Sequence, residues 1–423
     1  MFFDKAEKYT QGLFLSRLRN IERICESVHS SDYFQMQHFI SDAKWDARQV
    51  MDHVAVRTSI TLPKRKLTGL IIDETGTVKK GDKSVGVGWQ YCGNVGKISN
   101  SQVAVMACLS NGDFASMVDA RLFLPKDWCN NAERCEEAGI PEHERHYRTK
   151  LELAREIILN QIKLGSDFDF VSADGFYGND PEFASSIEDM GYLYMLDVHA
   201  DQPIYFEQPE IKVPARKSNK GRTPTIAKPD KKSIRVDKYA ESLDAEKWIK
   251  IKVRNTCKGT LTAYYHFAKV FIWNKTRNTI ERRLLVIRRT KTKKGFENKY
   301  SFTNANFEQY TKQAIAYMQA QRFFVEHCIK ESKQVLGMSQ FQTRKWKAWY
   351  HQIAINLMVA CFLLKEKLRC FEDLPLLSAW DIKDWICYNL YTQLNRDEMI
   401  ELIFLRHYKR QKDINQAFMK NSF

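Results

Sequence analysis

The chain has 423 residues, enough for two or three cooperating units around one dominant core. Its residues are 44% hydrophobic and 12% aromatic, and 66 Lys and Arg against 51 Asp and Glu leave a formal net charge of +15. That balance points to a polyanion, nucleic acid first, because each base set against a phosphate releases condensed counterions. The ten cysteines are scattered, with no C-x-x-C pair and no His cluster at zinc-ligand spacing, so free thiols in a reducing cytoplasm are expected. The opening Met-Phe-Phe-Asp-Lys has no basic region followed by an apolar run, so no secretory signal is expected and the protein should stay inside the cell. The most apolar stretch, 353–364, is too short to cross a bilayer and reads as a buried helix.

Residues 1 to about 62 carry helical spacing, as in Phe14, Leu18, Ile21, Ile24 and Cys25, and predict a helical, DNA-binding N-terminal region. From 63 the pattern changes to short apolar runs at 68–72, 102–108 and 117–124, which predict three consecutive strands. Thr149 and Glu152 have capping-box spacing and open an amphipathic helix carrying Leu153, Ile157, Ile158 and Ile162 that stops at Gly165. A fourth strand over 170–173 ends at Asp174, and a short helix at 181–190 leads to a fifth strand at 192–198. Three strands, helix, strand, helix, strand is the succession of a ribonuclease-H-like α/β sheet. Residues 199–305 interrupt it with a basic loop, 212–238, and a small strand-rich insertion at 248–253, 261–272 and 282–288. A long helix then runs from about 307 to 336; the core closes at about 350, and 351–423 is mainly helical.

In this plan Asp73 closes the first strand, Asp174 closes the fourth, and Glu326 lies on the long helix. Carboxylates are the hard oxygen donors that Mg²⁺ or Mn²⁺ takes, and two ions flanking a phosphodiester activate the nucleophile and stabilise the leaving oxygen. At about 100° per residue, Arg322, Glu326 and Lys333 fall within roughly 40° of one another, apart from the apolar stripe Met318, Val325, Ile329 and Leu336. Spacing alone is equally satisfied by a solvated face with an Arg322–Glu326 pair. Glu331 lies about 140° around the helix from Glu326, and Glu74 points to the opposite sheet face from Asp73. The glycine-rich stretch 76–96, with Lys79 and Lys80, lacks the spacing of a nucleotide-binding P-loop, so no nucleotide cofactor is implied; it reads as a DNA-contacting hairpin or a turn pair.

Several ordered blocks resemble the DDE transposases of bacterial insertion sequences, specifically the insertion sequence 701 group, related to the insertion sequence 4 group. They are Gln37-His-Phe-Ile-Ser-Asp-Ala-Lys-Trp45, Ile72-Asp-Glu-Thr-Gly-Thr-Val-Lys-Lys-Gly81, Ser84-Val-Gly-Val-Gly-Trp-Gln-Tyr-Cys-Gly93, Asn100-Ser-Gln-Val103, Arg121-Leu-Phe-Leu-Pro-Lys-Asp-Trp128, Ala173-Asp-Gly-Phe-Tyr-Gly178 and Arg344-Lys-Trp346. The resemblance implies that Asp73, Asp174 and Glu326 are the catalytic, metal-binding acids, served by two Mg²⁺ or Mn²⁺ ions. Arg322, Glu326 and Lys333 fit the intervals of the family's Y-R-E-K signature, whose Tyr position is Gln319 here. Arg322 and Lys333 are then expected to hold DNA phosphates from a polar helix face. Further expected DNA contacts are Lys217, Lys220, Arg222, Lys231 and Lys232 in the basic loop, Arg344 and Trp346 in a basic run, and Tyr300 as a base-stacking ring or a core residue. The implied partners are the double-stranded DNA of element ends and target, with a homodimer in the DNA complex and no membrane, in the bacterial cytoplasm at the nucleoid. A nuclease without strand transfer and a non-catalytic DNA-binding protein on the same scaffold are the alternatives.

Overall fold

The computed structural model describes residues 2–64, 66–215, 224–256 and 259–421. Four helices open it: α1 (Phe2–Leu15), α2 (Ile21–Ser27), α3 (Tyr33–Ser41) and α4 (Ala47–Thr61). Asn20, Asp32 and Asp46 each turn a side-chain oxygen onto the first free amides of the helix that follows, which is why these three helices start where they do. The helical run read through Leu18 is broken there, and Leu18 is exposed.

The sheet begins with β1 (Gly69–Val78), β2 (Gly88–Cys92), β3 (Lys97–Asn111) and β4 (Phe114–Leu122). After the short α5 (Lys126–Cys129) and α6 (Ala132–Glu137), α7 (Lys150–Lys163) starts at the Thr149–Glu152 capping box and is stopped by Gly165 at φ +67°. Then come β5 (Phe170–Ala173), α8 (Gly175–Gly178), α9 (Pro181–Asp189) and β6 (Leu193–Val198). β1 runs parallel to β5 and β5 to β6, while β3 is antiparallel to β1 and to β4. The spatial order β4-β3-β1-β5-β6 is the ribonuclease-H-like arrangement.

Two small ladders follow, β7 (Pro203–Ile204) with β10 (Ile234–Arg235) and β8 (Ile211–Lys212) with β9 (Lys228–Pro229), and then α10 (Val236–Glu241). The strands β11 (Ile249–Thr256), β12 (Gly259–Asn274), β13 (Thr279–Thr292) and β14 (Gly295–Thr303) do not form a separate small sheet. β14 pairs antiparallel with β6, so they extend the central sheet to ten strands. β14 escapes the sequence reading because Ser301 and Thr303 are fully buried polar residues that interrupt its apolar pattern.

Alternation along β1 assigns its two faces. Leu70 and Ile72 pack with Leu153 and Ile157 of α7, whereas Ile71 packs with Val325, Cys328 and Ile329 of the long helix α11 (Lys312–Val335). Asp73 therefore belongs to the α11 face and Glu74 to the α7 face. The helix α12 (Trp346–Arg369) crosses the boundary read at 350 and packs on α4 and β4; α13 (Ala379–Thr392) and α14 (Arg396–Asn421) complete the chain. Buried residues of α1–α3, α12 and α13 share one apolar cluster, so the first three helices form one layer with α12 and α13. Asp119 of β4, fully buried, takes Arg48 of α4 at 2.8 Å and Arg121 at 2.6 Å, fastening α4 to the sheet.

Candidate functional site

β1 keeps its antiparallel partner β3 along its whole length, but β5 accompanies it only through Ile72, opposite Ala173. Asp73 is thus the first residue of β1 beyond its parallel neighbour, and it stands inside the strand rather than at its end. Asp174 follows β5 directly and caps α8, accepting the Phe176 amide at 3.0 Å. The turn after it tolerates no side chain at Gly178, where a Cβ would lie 1.9 Å from the Asp197 carbonyl oxygen. This explains why Ala173-Asp-Gly-Phe-Tyr-Gly178 ends in glycine.

Arg322 of α11 reaches into this notch. Its guanidinium lies 2.8 Å from Asp197 of β6, 2.7 Å from Glu326 and 3.6 Å from Asp73. The Asp73, Asp197 and Arg322 side chains are 14%, 16% and 15% exposed, and Glu326 is 54% exposed. Ser301 donates to Asp197 at 2.6 Å and Gln319 to Ser301 at 2.8 Å, so the Tyr position of the resembled signature is filled by an amide that supports the acid cluster.

Burial pushes the Asp73 carboxyl up to about 7, against the pull of Arg322 and with the help of the Asp174 and Glu326 charges. Burial also raises Asp174, with Glu74 adding to it and Arg322 opposing. Burial works against the Arg322 charge, but the acids around it, Asp197 foremost, hold its pKa above the ordinary value. Among the described residues no three His, Cys, Asp or Glu side chains are gathered closely enough to hold one ion. Arg322 supplies the local positive charge instead. The donor set nevertheless fits a hard cation: buried carboxylate oxygens, two of them from adjacent strands, carry more negative charge than one guanidinium relieves.

Glu331 is bound to Lys367 of α12 at 2.8 Å, away from this cluster. Glu74 pairs with Lys150 at 2.7 Å on the α7 face. Lys333 is half-buried, donating to the Gly76 carbonyl at 3.0 Å, and burial lowers it to about 8. Arg322 and Lys333, expected to hold DNA phosphates from a polar helix face, are both engaged within the protein, so the solvated-face alternative does not describe them either. Lys79 donates to the Phe341 carbonyl at 2.9 Å and sits over that ring, with burial lowering it to about 8, whereas Lys80 is exposed.

Lys217, Lys220 and Arg222 lie outside the described residues. Lys231, paired with Glu207, and Lys232 are exposed, as is Arg344. Of the two readings open for Tyr300 and Trp346, the core one holds and the DNA contact is corrected. Tyr300 is 9% exposed in the core beside Phe302, and Trp346 is 8% exposed, its ring 4.8 Å from that of Tyr350, so neither ring is presented for stacking on a base. Sequence reasoning missed Asp197 and Lys150; an acid inside the apolar run of β6 was the available signal for the first.

The family profile described as DDE superfamily endonuclease matches residues 3–260. A probable transposase for insertion sequence element IS701 from Microchaete diplosiphon is 30% identical over 200 residues, covering 47% of this chain and 49% of that protein. The chain thus spans about half the length of the curated relative it matches. Among solved structures, a piggyBac transposase synaptic complex with hairpin DNA aligns at a TM-score of 0.40 and 12% identity, over 92% of this chain and 66% of that one. Among the described residues no helix is long and apolar enough to cross a membrane.

Proposed function

This chain belongs to the DDE superfamily of endonucleases, and from that premise we propose that it is a DNA transposase in which Asp73, Asp174 and Glu326 serve the cutting and rejoining of phosphodiester bonds. The observation that carries the reading is the pair of half-buried aspartates at the end of the parallel β1–β5 pair, with Arg322 linking Asp73 to Glu326. Two Mg²⁺ or Mn²⁺ ions at these oxygens would lower the pKa of the attacking water and stabilise the leaving oxygen.

The chain's own groups prepare that chemistry. Lys150 pairs with Glu74, while burial opposes charge on both Asp73 and Asp174, so these two carboxyls are the ones a bound cation would relieve. Arg322 holds Asp73 and Glu326 in place, and its shortest strand contact, to Asp197, lets it release both without becoming an unpaired buried charge. The more exposed Glu326 is then free to turn inward. The 3′-hydroxyl released at an element end attacks target DNA in a second displacement at the same acids. Double-stranded ends and target are the substrates, and two ends require two protomers in the DNA complex, in the bacterial cytoplasm at the nucleoid.

The test is incubation with end DNA, target DNA and Mg²⁺, read by gel for cut and joined products. Asp73→Asn, Asp174→Asn and Glu326→Gln should each retain DNA binding and lose both products. Normal cutting by Glu326→Gln would return the third acid to the unassigned residues, and cutting without joining would make the chain a nuclease.

A further inference from the structure

A cavity of about 160 Å³ opens between α11 and the strands β11–β14, walled by Val253 and Ala263 and lined also by Asp197, Arg322 and Glu326. Arg254, Arg288 and Lys299 line it as well. Among the described residues none of these three is in an ion pair, while the neighbouring Arg322 is bound to three acids. Arg288 and Lys299 are direct partners across β13 and β14, on the same face. Like charges in that position repel and cost stability. The Arg288 Nε is buried with no hydrogen-bond partner, which carries a desolvation cost of its own. The Arg254 guanidinium rests 4.1 Å over the ring of Phe323, which orients it without neutralising it. Three cations without an ion-pair partner, one of them oriented by a ring, together with an unpaired donor and a like-charge pair around one cavity, are a site in need of an anion.

The geometry points to a phosphate subsite: Arg254, Arg288 and Lys299 grip a backbone phosphodiester of the DNA strand, next to the one held at the acids. This rests on the functional reading above and adds to it the residues that fix the strand's path. Guanidinium forks match phosphate oxygens, and the apolar walls strengthen the attraction by excluding water. The bound phosphate also removes the Arg288–Lys299 repulsion, so the site trades stability of the free protein for grip on the strand.

The experiment uses the full chain in EDTA with a fluorescein-labelled 30-base-pair duplex, with binding measured by anisotropy over a series of KCl concentrations. Each phosphate contact contributes about 0.9 to the slope of log affinity against log salt. Arg254→Gln and Lys299→Gln should each lower that slope by about one contact and weaken binding about tenfold near physiological salt. Lys299→Gln should at the same time melt no lower than the parent, because it removes a like-charge partner. Unchanged slopes in both variants, with the parent still binding DNA, would overturn the subsite and leave the functional reading standing. A parent that fails to bind the duplex, or binds with no salt dependence, overturns both. Melts in inorganic phosphate against chloride at matched ionic strength separate the sources. A phosphate-dependent rise in the parent that both variants lose, with unchanged DNA slopes, assigns the cavity to free phosphate and overturns the DNA assignment.

Discussion

Replacing Asp73 with Asn should abolish cutting and yet stabilise the protein above neutral pH. The carboxyl is raised from its ordinary 3.8 to about 7 in the folded chain, chiefly by burial. A raised pKa means that the folded state favours the protonated form, so this group's contribution to stability is fully present below 3.8 and is lost as pH rises through about 7. Each unit of difference is worth about 1.4 kcal/mol. Between pH 5 and pH 8 the unfolded carboxyl is already charged, while the folded one gives up its proton only near the upper end. The parent should therefore lose about 2–3 kcal/mol relative to Asp73→Asn across that interval. Comparing the gap at two pH values cancels the constant effect of changing the side chain. Urea titrations followed by tryptophan fluorescence at pH 5, 6, 7 and 8, in EDTA, measure it. A gap that stays flat, or that shifts towards the parent as pH rises, would refute the idea that burial in this notch opposes the Asp73 charge.

Divalent metal should reverse that balance: Mn²⁺ added at pH 8 should raise the melting temperature of the parent and leave that of Asp73→Asn nearly unchanged, as binding to the native state alone requires. Arg322→Gln takes the shared countercharge from Asp73, Asp197 and Glu326, and breaking a buried pair of this kind costs about 3–5 kcal/mol; denaturation matching the parent's would show that the guanidinium is a phosphate ligand with no structural part. Gly178→Ala brings a methyl to 1.9 Å from the Asp197 carbonyl oxygen, and should cost about 1–3 kcal/mol and depress cutting by displacing Asp174. Trp346→Ala should lose about 3–5 kcal/mol with DNA affinity unchanged in whatever protein remains folded, because the ring lies in the core; weaker binding with normal stability would restore it to the DNA surface.

What the sequence by itself determined is the part written in local patterns. The capping box at Thr149, the stop at Gly165, the alternation that separates Asp73 from Glu74, and the order of the first strands and helices are short-range matters of backbone hydrogen bonding and side-chain period, and they are legible in a few residues at a time. The resemblance blocks around Asp73 and Asp174 marked two acids that do stand at adjacent strands. What only the tertiary structure decided is which polar residues the core would enclose. Ser301 and Thr303 interrupt the apolar pattern of a strand and are nevertheless buried in it; Arg322 and Lys333 read as phosphate contacts on a polar helix face and are engaged within the protein. Tyr300 and Trp346 fall inside, and Asp197, unremarked in the sequence, holds the central arginine. The physical reason is that burying a polar group is decided by its partners, and those partners come from elements more than a hundred residues apart: Ser301 meets Asp197, Arg322 meets Asp73, and Lys333 meets Gly76.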